Sequence, residues 1–250
     1  MNRDTGVLHA SGVTDKGPIR AINEDCFAID DRLRLCVVAD GMGGHNAGEV
    51  AARLGVETVL AFFRDSKQAG GEWPFGFEPS LSTESNRLRT AIHLANEQIL
   101  ERAGAAPEYS GMGTTIVAAL VCGGRLSVAH AGDSRLYLYG VRYVSDAGPT
   151  SFLRRLTKDD SFGPNVLTNA VGTSSRTEVH VVEEMLGGGE TIALTTDGVH
   201  GLLDDRQIEA VLSYAWRSED AAATLVRDAL ARGSRDNCTA VVAQYVAEIR

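Results

Sequence analysis

The sequence predicts an α+β fold in which two antiparallel sheets are covered on their outer faces by helices. Three observations predict it. Apolar, β-branched runs recur along the chain, and each ends or begins at an acidic residue. Four segments with helical spacing fall into two pairs. Neither an internal repeat nor a linker divides the 250 residues, a length that fits one compact domain spanning 1–250.

The elements follow in order. Residues 7–13 read as a strand, and the turn Thr14-Asp15-Lys16-Gly17-Pro18 follows. Arg20, Glu24 and Asp25 lead into a short strand, 26–29. The run Cys36-Val37-Val38-Ala39 suits a buried strand; it ends in Asp40 and the glycine-rich turn Gly41-Met42-Gly43-Gly44. Over 48–64 the spacing is helical, with Ala47, Ala51, Leu54, Thr58 and Phe62 as the buried stripe. Gly70-Gly71, Pro74, Gly76 and Pro79 make 65–82 a loop, whose Trp73, Phe75 and Phe77 are expected to fold back onto the domain. A second helix, 84–103, aligns Leu88, Ile92, Ala95 and Ile99 on one face.

Gly111-Met112-Gly113 opens the strand 114–121, and 125–139 reads as a hairpin turning at Gly132-Asp133. Between Gly140 and Gly172 the pattern is weakest, with only a short strand-like Tyr143-Val144, and this stretch is expected to be mobile. Residues 189–196 form a strand ending at Asp197-Gly198. Asp204 with Gln207 makes a capping box for a short helix through Ser213. Residues 218–232 form the fourth helix, with Ala222, Leu225, Val226 and Ala229 inward and Gly233 as its stop; the last strand is 238–246.

Taken singly, each acid at a strand end is a turn residue. Together they are unusual. Glu24, Asp25, Asp40, Asp133, Asp197 and Asp236 all precede or follow strands, and an antiparallel arrangement can gather such positions on one edge. Gathered carboxylates repel and stay ionised only beside compensating positive charge. A set of oxygen donors without Cys or His favours Mg²⁺ or Mn²⁺ over zinc, and the wide spacing excludes a single-loop site. Arg20 is either a salt-bridge partner of the neighbouring acids or a planar fork for phosphate oxygens.

Hydrophobic residues at 44% and charged residues at 23% are ordinary for a globular protein. A net charge of −9 disfavours nucleic acid or an anionic membrane as partner. Cys26, Cys36, Cys122 and Cys238 show no Cys-x-x-Cys pairing and read as small buried hydrophobes. With no apolar leader region and no segment long enough to span a bilayer, the expected location is cytoplasmic.

The chain resembles the metal-dependent protein phosphatases of the 2C family in their bacterial form. The likeness runs in order through Arg20-Ala21-Ile22-Asn23-Glu24-Asp25, Asp40-Gly41-Met42-Gly43-Gly44, Gly111-Met112-Gly113-Thr114-Thr115, Gly132-Asp133-Ser134-Arg135, Asp197-Gly198 and Asp236-Asn237. The resemblance implies a four-layer α-β-β-α sandwich with two Mn²⁺ or Mg²⁺ ions at one end of the sheets. Asp40 would bridge them, Asp197 and Asp236 would complete one ion's ligands, and Glu24 with the Gly41 carbonyl would hold the other. Asp133 would serve a third, weaker ion. Asp25 and Asn237 would hold metal-bound water, and Arg20 the phosphate.

The implied reaction is hydrolysis of phosphoserine and phosphothreonine in proteins by a hydroxide bridging the metals, without a covalent phosphoenzyme. The implied partners are bacterial-type Ser/Thr kinases or their substrates. Four departures from the family pattern stand out. Gly201, preceded by His200, occupies a position that is often Asp. Asp160 occupies a position that is usually His. The flap bordering the substrate entrance, within 140–172, is short. Met42 stands where some members have His, and nearby His45 reads as a surface residue. Two other functions compete: hydrolysis of small phosphoesters, and phosphoprotein binding without turnover. The second sits poorly with the presence of Asp40, Asp197 and Asp236.

Overall fold

The computed structural model describes residues 6–44, 47–65, 73–144, 148–163 and 166–247. Its core is built on strands that are apolar on both faces. In β3 (Leu35–Met42), Leu35, Val37 and Ala39 face one side while Cys36 and Val38 face the other. In β5 (Ile116–Cys122), Ile116, Ala118 and Leu120 alternate in the same way with Val117, Ala119 and Val121. In β11 (Cys238–Val246), Val241, Ala243 and Tyr245 oppose Cys238, Ala240 and Val242. Side chains on a strand alternate between faces, so a near-continuous apolar run is the mark of a strand covered on both.

These strands lie in two antiparallel sheets. One runs β1 (Val7–Asp15), β11, β10 (Thr191–Thr195), β7 (Arg135–Val144), β8 (Gly148–Arg155). The other runs β2 (Asp25–Asp30), β3, β5, β6 (Arg125–Ala131), β9 (His180–Met185), with the short β4 (Gly113–Thr114) also on β3. Helices α1 (Ala47–Arg64) and α2 (Thr83–Ala105) pack on the second sheet. The one-turn α3 (Asp197–His200), α4 (Asp205–Tyr214) and α5 (Ser218–Ala231) pack on the first. Three apolar cores, two under helices and one between the sheets, make the four layers expected from the sequence.

The Asp204–Gln207 capping box starts α4 as expected, and α2 is capped by Ser82, whose side chain accepts from Ser85 N–H. Leu88, Ile92, Ala95 and Ile99 are fully buried. The α1 stripe is rotated from the expected one: Leu54 and Thr58 are half-buried, and Ala52, Gly55, Val56 and Val59 line the core instead. Phe75 stacks on His93 of α2 and so folds back as expected, whereas Trp73 packs on Phe77 within the loop and Phe77 stays exposed. His45 and Gly70-Gly71 lie outside the described residues.

Three expectations are corrected. Residues 125–139 are not a hairpin, because β6 and β7 belong to different sheets and Gly132 carries the chain across between them. It does so with φ +102°, and its Cα lies so close to Thr115 that an added Cβ would sit 2.6 Å from that side chain. Second, the stretch after Gly140 is not irregular throughout: β7 continues to Val144, and β8 pairs with it along its whole length. As a half-exposed edge strand, β8 lacks a clean alternation, and its Phe152 is covered by the guanidinium groups of Arg142 and Arg154. Third, Cys122 is exposed, while Cys36 and Cys238 are buried as expected. The edge strand β9 has no counterpart in the sequence reading.

Candidate metal centre

Asp25 and Asp40 are register partners on β2 and β3. Asp40 lies two residues beyond Val38 and so shares its face, directed between the two sheets. At that end of the sandwich the sheets open into a cleft of about 240 Å³, lined by Arg20, Glu24, Asp40, Asp133, Asp197 and Asp236 among others. Asp197 follows β10 and Asp236 precedes β11, so both come from the opposite sheet. The fold therefore gathers on one edge seven of the eight candidate site residues, Arg20 and Gly41 included. The eighth, Asp25, forms the floor. It is buried, and its Oδ2 accepts from Thr239 Oγ1 at 2.6 Å and Thr196 Oγ1 at 2.9 Å. Those hydroxyls belong to the other sheet, so one carboxylate stitches the two sheets together beneath the cleft.

The backbone of Asp40 is clamped as well. Its N–H donates to Thr115 Oγ1 at 3.0 Å, and its C=O accepts from Thr115 N–H at 2.8 Å and Thr114 Oγ1 at 2.9 Å. Thr115 Oγ1 in turn shares a 2.7 Å hydrogen bond with Ser134 Oγ. Thus the Gly111–Thr115 and Gly132–Arg135 motifs serve largely to hold one acid. Thr114, Thr115, Ser134, Thr196 and Thr239 were missed as site residues, because a hydroxyl carries no signal until its partner is known.

Asn237 is tied to the backbone of the site. Its Oδ1 accepts from Glu24 N–H at 2.9 Å, and its Nδ2 donates to the carbonyls of Lys16 and Ile22 at 2.9 and 3.0 Å. That side chain ties the Arg20–Asp25 segment to β11. Arg20 forms a 2.7 Å ion pair, though with the distant Asp236 and not with the neighbouring acids.

The electrostatics match a cation site. Burial, then repulsion from Asp25, Asp197, Asp236 and Asp133, pushes the Asp40 carboxyl well above its ordinary range. Burial likewise raises Asp25 to about 7 and Asp133 to about 6, and it raises Asp197 and Glu24. Among the described residues, Glu24 Oε1, Asp25 Oδ1 and Asp197 Oδ1 are buried with no hydrogen-bond donor. Buried lone pairs left without a donor are costly, and a hard divalent cation satisfies them. No three His, Cys, Asp or Glu side chains form a compact metal-binding group among the described residues, so the acids line the cleft without closing on one point. The donor set still fits Mg²⁺ or Mn²⁺: oxygen only, ringed and partly orphaned.

A larger groove, about 810 Å³, runs along β1 and Trp216. Its charges are of both signs, and Arg217 is paired with Glu219, so nothing in it converges on a reacting atom.

Comparison with known proteins points to one family. The model of the family described as protein phosphatase 2C matches residues 20–232. The serine/threonine phosphatase stp of Listeria monocytogenes is 28% identical over 252 residues, covering 95% of this chain and 96% of its own. The serine/threonine protein phosphatase PstP of Mycobacterium tuberculosis is 32% identical over 98% of this chain, which spans 46% of that longer protein. The crystal structure of the M. tuberculosis phosphatase superposes with a TM-score of 0.78 at 30% identity, covering 95% of this chain and 98% of that one. A PstP catalytic domain in complex with two manganese ions gives 0.79 at 30% identity, over 97% and 100% of the two chains. The chain belongs to the protein phosphatase 2C family of serine/threonine phosphatases.

Proposed function

We propose that this cleft holds two Mn²⁺ or Mg²⁺ ions and hydrolyses phosphoserine and phosphothreonine in proteins, among them the targets of bacterial-type Ser/Thr kinases in the cytoplasm. The observation that carries this reading is the register pairing of Asp25 with Asp40 opposite Asp197 and Asp236, with buried carboxylate oxygens left unsatisfied. Asp40, which faces Asp25, Asp197, Asp236 and Asp133, would be shared by the two ions, Asp197 and Asp236 would hold one, and Glu24 with Gly41 would hold the other. Asp133 also lines the cleft, while Gly201, at the end of α3, carries no side chain that could add a second carboxylate for a third ion. Two such ions make water more acidic and offset charge on phosphoryl oxygens.

The chain's own groups do the rest. Thr114 and Thr115 fix Asp40, and the Thr196 and Thr239 hydroxyls fix Asp25, so the acids are positioned before substrate arrives. Arg20 stands at the cleft with a guanidinium that can exchange Asp236 for a phosphate oxygen pair. Met42, also on the cleft wall, has no proton to give a leaving group.

Hydrolysis of an aryl phosphate by metal-stripped protein, titrated with Mn²⁺ or Mg²⁺, tests the proposal. Activity is expected to appear with either ion and to fall by about 100-fold or more in Asp40→Asn. Wild-type turnover in Asp40→Asn would overturn the assignment. Turnover of aryl phosphate but never of phosphopeptides would redirect it to small phosphoesters.

A further inference from the structure

We propose that Asp160 is a positioning residue for this reaction, holding the two walls of the cleft together with His180 as its hydrogen-bond partner. The inference rests on the metal-cleft reading above and extends it to a residue outside the acid ring. Asp160 lies in the short flap that follows β8, where the resembling motif usually carries His. Its side chain is mostly enclosed, 13% exposed, and takes three donors. Oδ2 accepts from Gly132 N–H at 3.0 Å and from Asn169 Nδ2 at 2.7 Å, and Oδ1 meets His180 Nε2 at 2.9 Å.

The main chain doubles the connection. Asp160 N–H donates to the Gly132 carbonyl at 3.1 Å, and Thr168 N–H donates to the Asp160 carbonyl at 2.8 Å. Gly132 directly precedes Asp133, and Leu167 directly precedes Thr168; Asp133 and Leu167 both line the cleft. Gly132 also packs on Thr115, the residue that clamps Asp40. Carboxylate and main chain of Asp160 together therefore set where Asp133 and Leu167 stand relative to each other, the carboxylate through Gly132 and Asn169, and bear on Asp40 through Thr115.

One oxygen suffices for Gly132 N–H, and the other is taken by His180. Standing on β9, it pairs with Asp160 at 2.9 Å, while its Nδ1 lies 3.7 Å from Glu178 Oε1. The His130 ring lies 5.0 Å away on the adjoining strand β6. The segment after β8 is thus anchored to the second sheet by the hydrogen bond between Asp160 and His180. A carboxylate held by an imidazole here does what an imidazole held by a carboxylate could do with the roles exchanged. Neutral imidazole accepts Gly132 N–H on one nitrogen and donates from the other.

The test uses the full chain carrying Asp160→Ala, Asp160→Asn, or the exchange Asp160→His with His180→Asp. The readouts are kcat and KM on an aryl phosphate and on a phosphothreonine peptide, Mn²⁺ affinity by titration calorimetry, and melting temperature. Asp160→Ala is expected to lower kcat on both substrates, and to weaken Mn²⁺ binding, by about 10-fold each. It is also expected to raise KM for the peptide alone, because only the larger substrate reaches the Leu167 wall. The exchange is expected to regain most of the lost kcat. Should the exchanged chain fail to fold, Asp160→Asn, which keeps the acceptor for Gly132 N–H, is expected to fall between wild type and Asp160→Ala.

Wild-type kcat, KM and Mn²⁺ affinity in Asp160→Ala would overturn the proposal. So would an activity loss no larger than the loss of folded protein, with no recovery in the exchange or in Asp160→Asn. Asp40→Asn measured alongside separates the two readings. If it is inactive while Asp160→Ala matches wild type, only the positioning role fails; if it too is fully active, the cleft reading fails.

Discussion

The Arg20 guanidinium donates to Asp236 at 2.7 Å with 48% of its side chain exposed. An ion pair that open to water is worth about 0–1 kcal/mol, so a phosphate can displace it at little cost. Arg20→Ala is accordingly expected to leave melting unchanged while raising KM about 10-fold or more, with kcat less affected, as steady-state kinetics would show. An unchanged KM would return Arg20 to a simple surface pair. His200 presents the opposite case. Burial, with Arg135 nearby, pushes its pKa from the ordinary 6.5 down to about 3, and Nδ1 lies 2.9 Å from Thr195 Oγ1. The native ring stays neutral, whereas the unfolded chain takes up a proton below about 6.5. Between those values the unfolded state binds more protons, so this contribution is complete above pH 6.5 and is lost as pH falls toward 3. In His200→Gln the decline of stability with acid, followed by denaturant melts across that range, is expected to be shallower than in wild type.

At the scale of elements, the start of α1 is pressed against the end of β3. A Cβ on Gly48 would lie 2.3 Å from Glu24 Oε1 and 2.9 Å from the Gly41 carbonyl carbon. The helix can enter there only because both positions are glycine, and the same approach brings Glu24 to the Gly48 amide. Gly48→Ala is expected to cost about 1–3 kcal/mol and to reduce turnover by displacing Glu24. Gly104, in the last turn of α2, is a built-in comparison: a Cβ there meets nothing within 4 Å. Gly104→Ala is expected to stabilise by up to about 1 kcal/mol with activity intact. Equal effects at the two sites in thermal melts would deny the packing argument. The elements that escaped the sequence reading were β8 and β9, each the edge of its sheet. An edge strand half open to water needs no continuous apolar run, so the pattern that revealed β3, β5 and β11 is missing from them.

At the scale of the whole molecule, the cleft joins two sheets whose ends carry like charge. Asp25 and Asp40 belong to one sheet, while Asp197 and Asp236 flank strands of the other. Mn²⁺ at 100 times its dissociation constant is expected to stabilise the fold by about 2.7 kcal/mol. For a chain of this size that raises the melting temperature by about 5–10 °C. Asp40→Asn is expected to abolish most of that rise and, with one repelling carboxylate removed, to melt higher than wild type when both are metal-free. A metal-free variant less stable than wild type would mean that the repulsion is not what the fold tolerates for function.

The sequence by itself determined the α+β class, the central strands, the capping box of α4 and the acids themselves. Those depend on local periodicity, capping and residue type, all of which are carried by neighbouring positions. Only the tertiary structure decided that Gly132 crosses between sheets, that Thr196 and Thr239 reach Asp25, that Asn237 ties down Glu24, and that Asp160 meets His180. A hydroxyl, amide or imidazole has no assigned role until the fold chooses its partner. For Asp25 those partners lie 171 and 214 residues away along the chain.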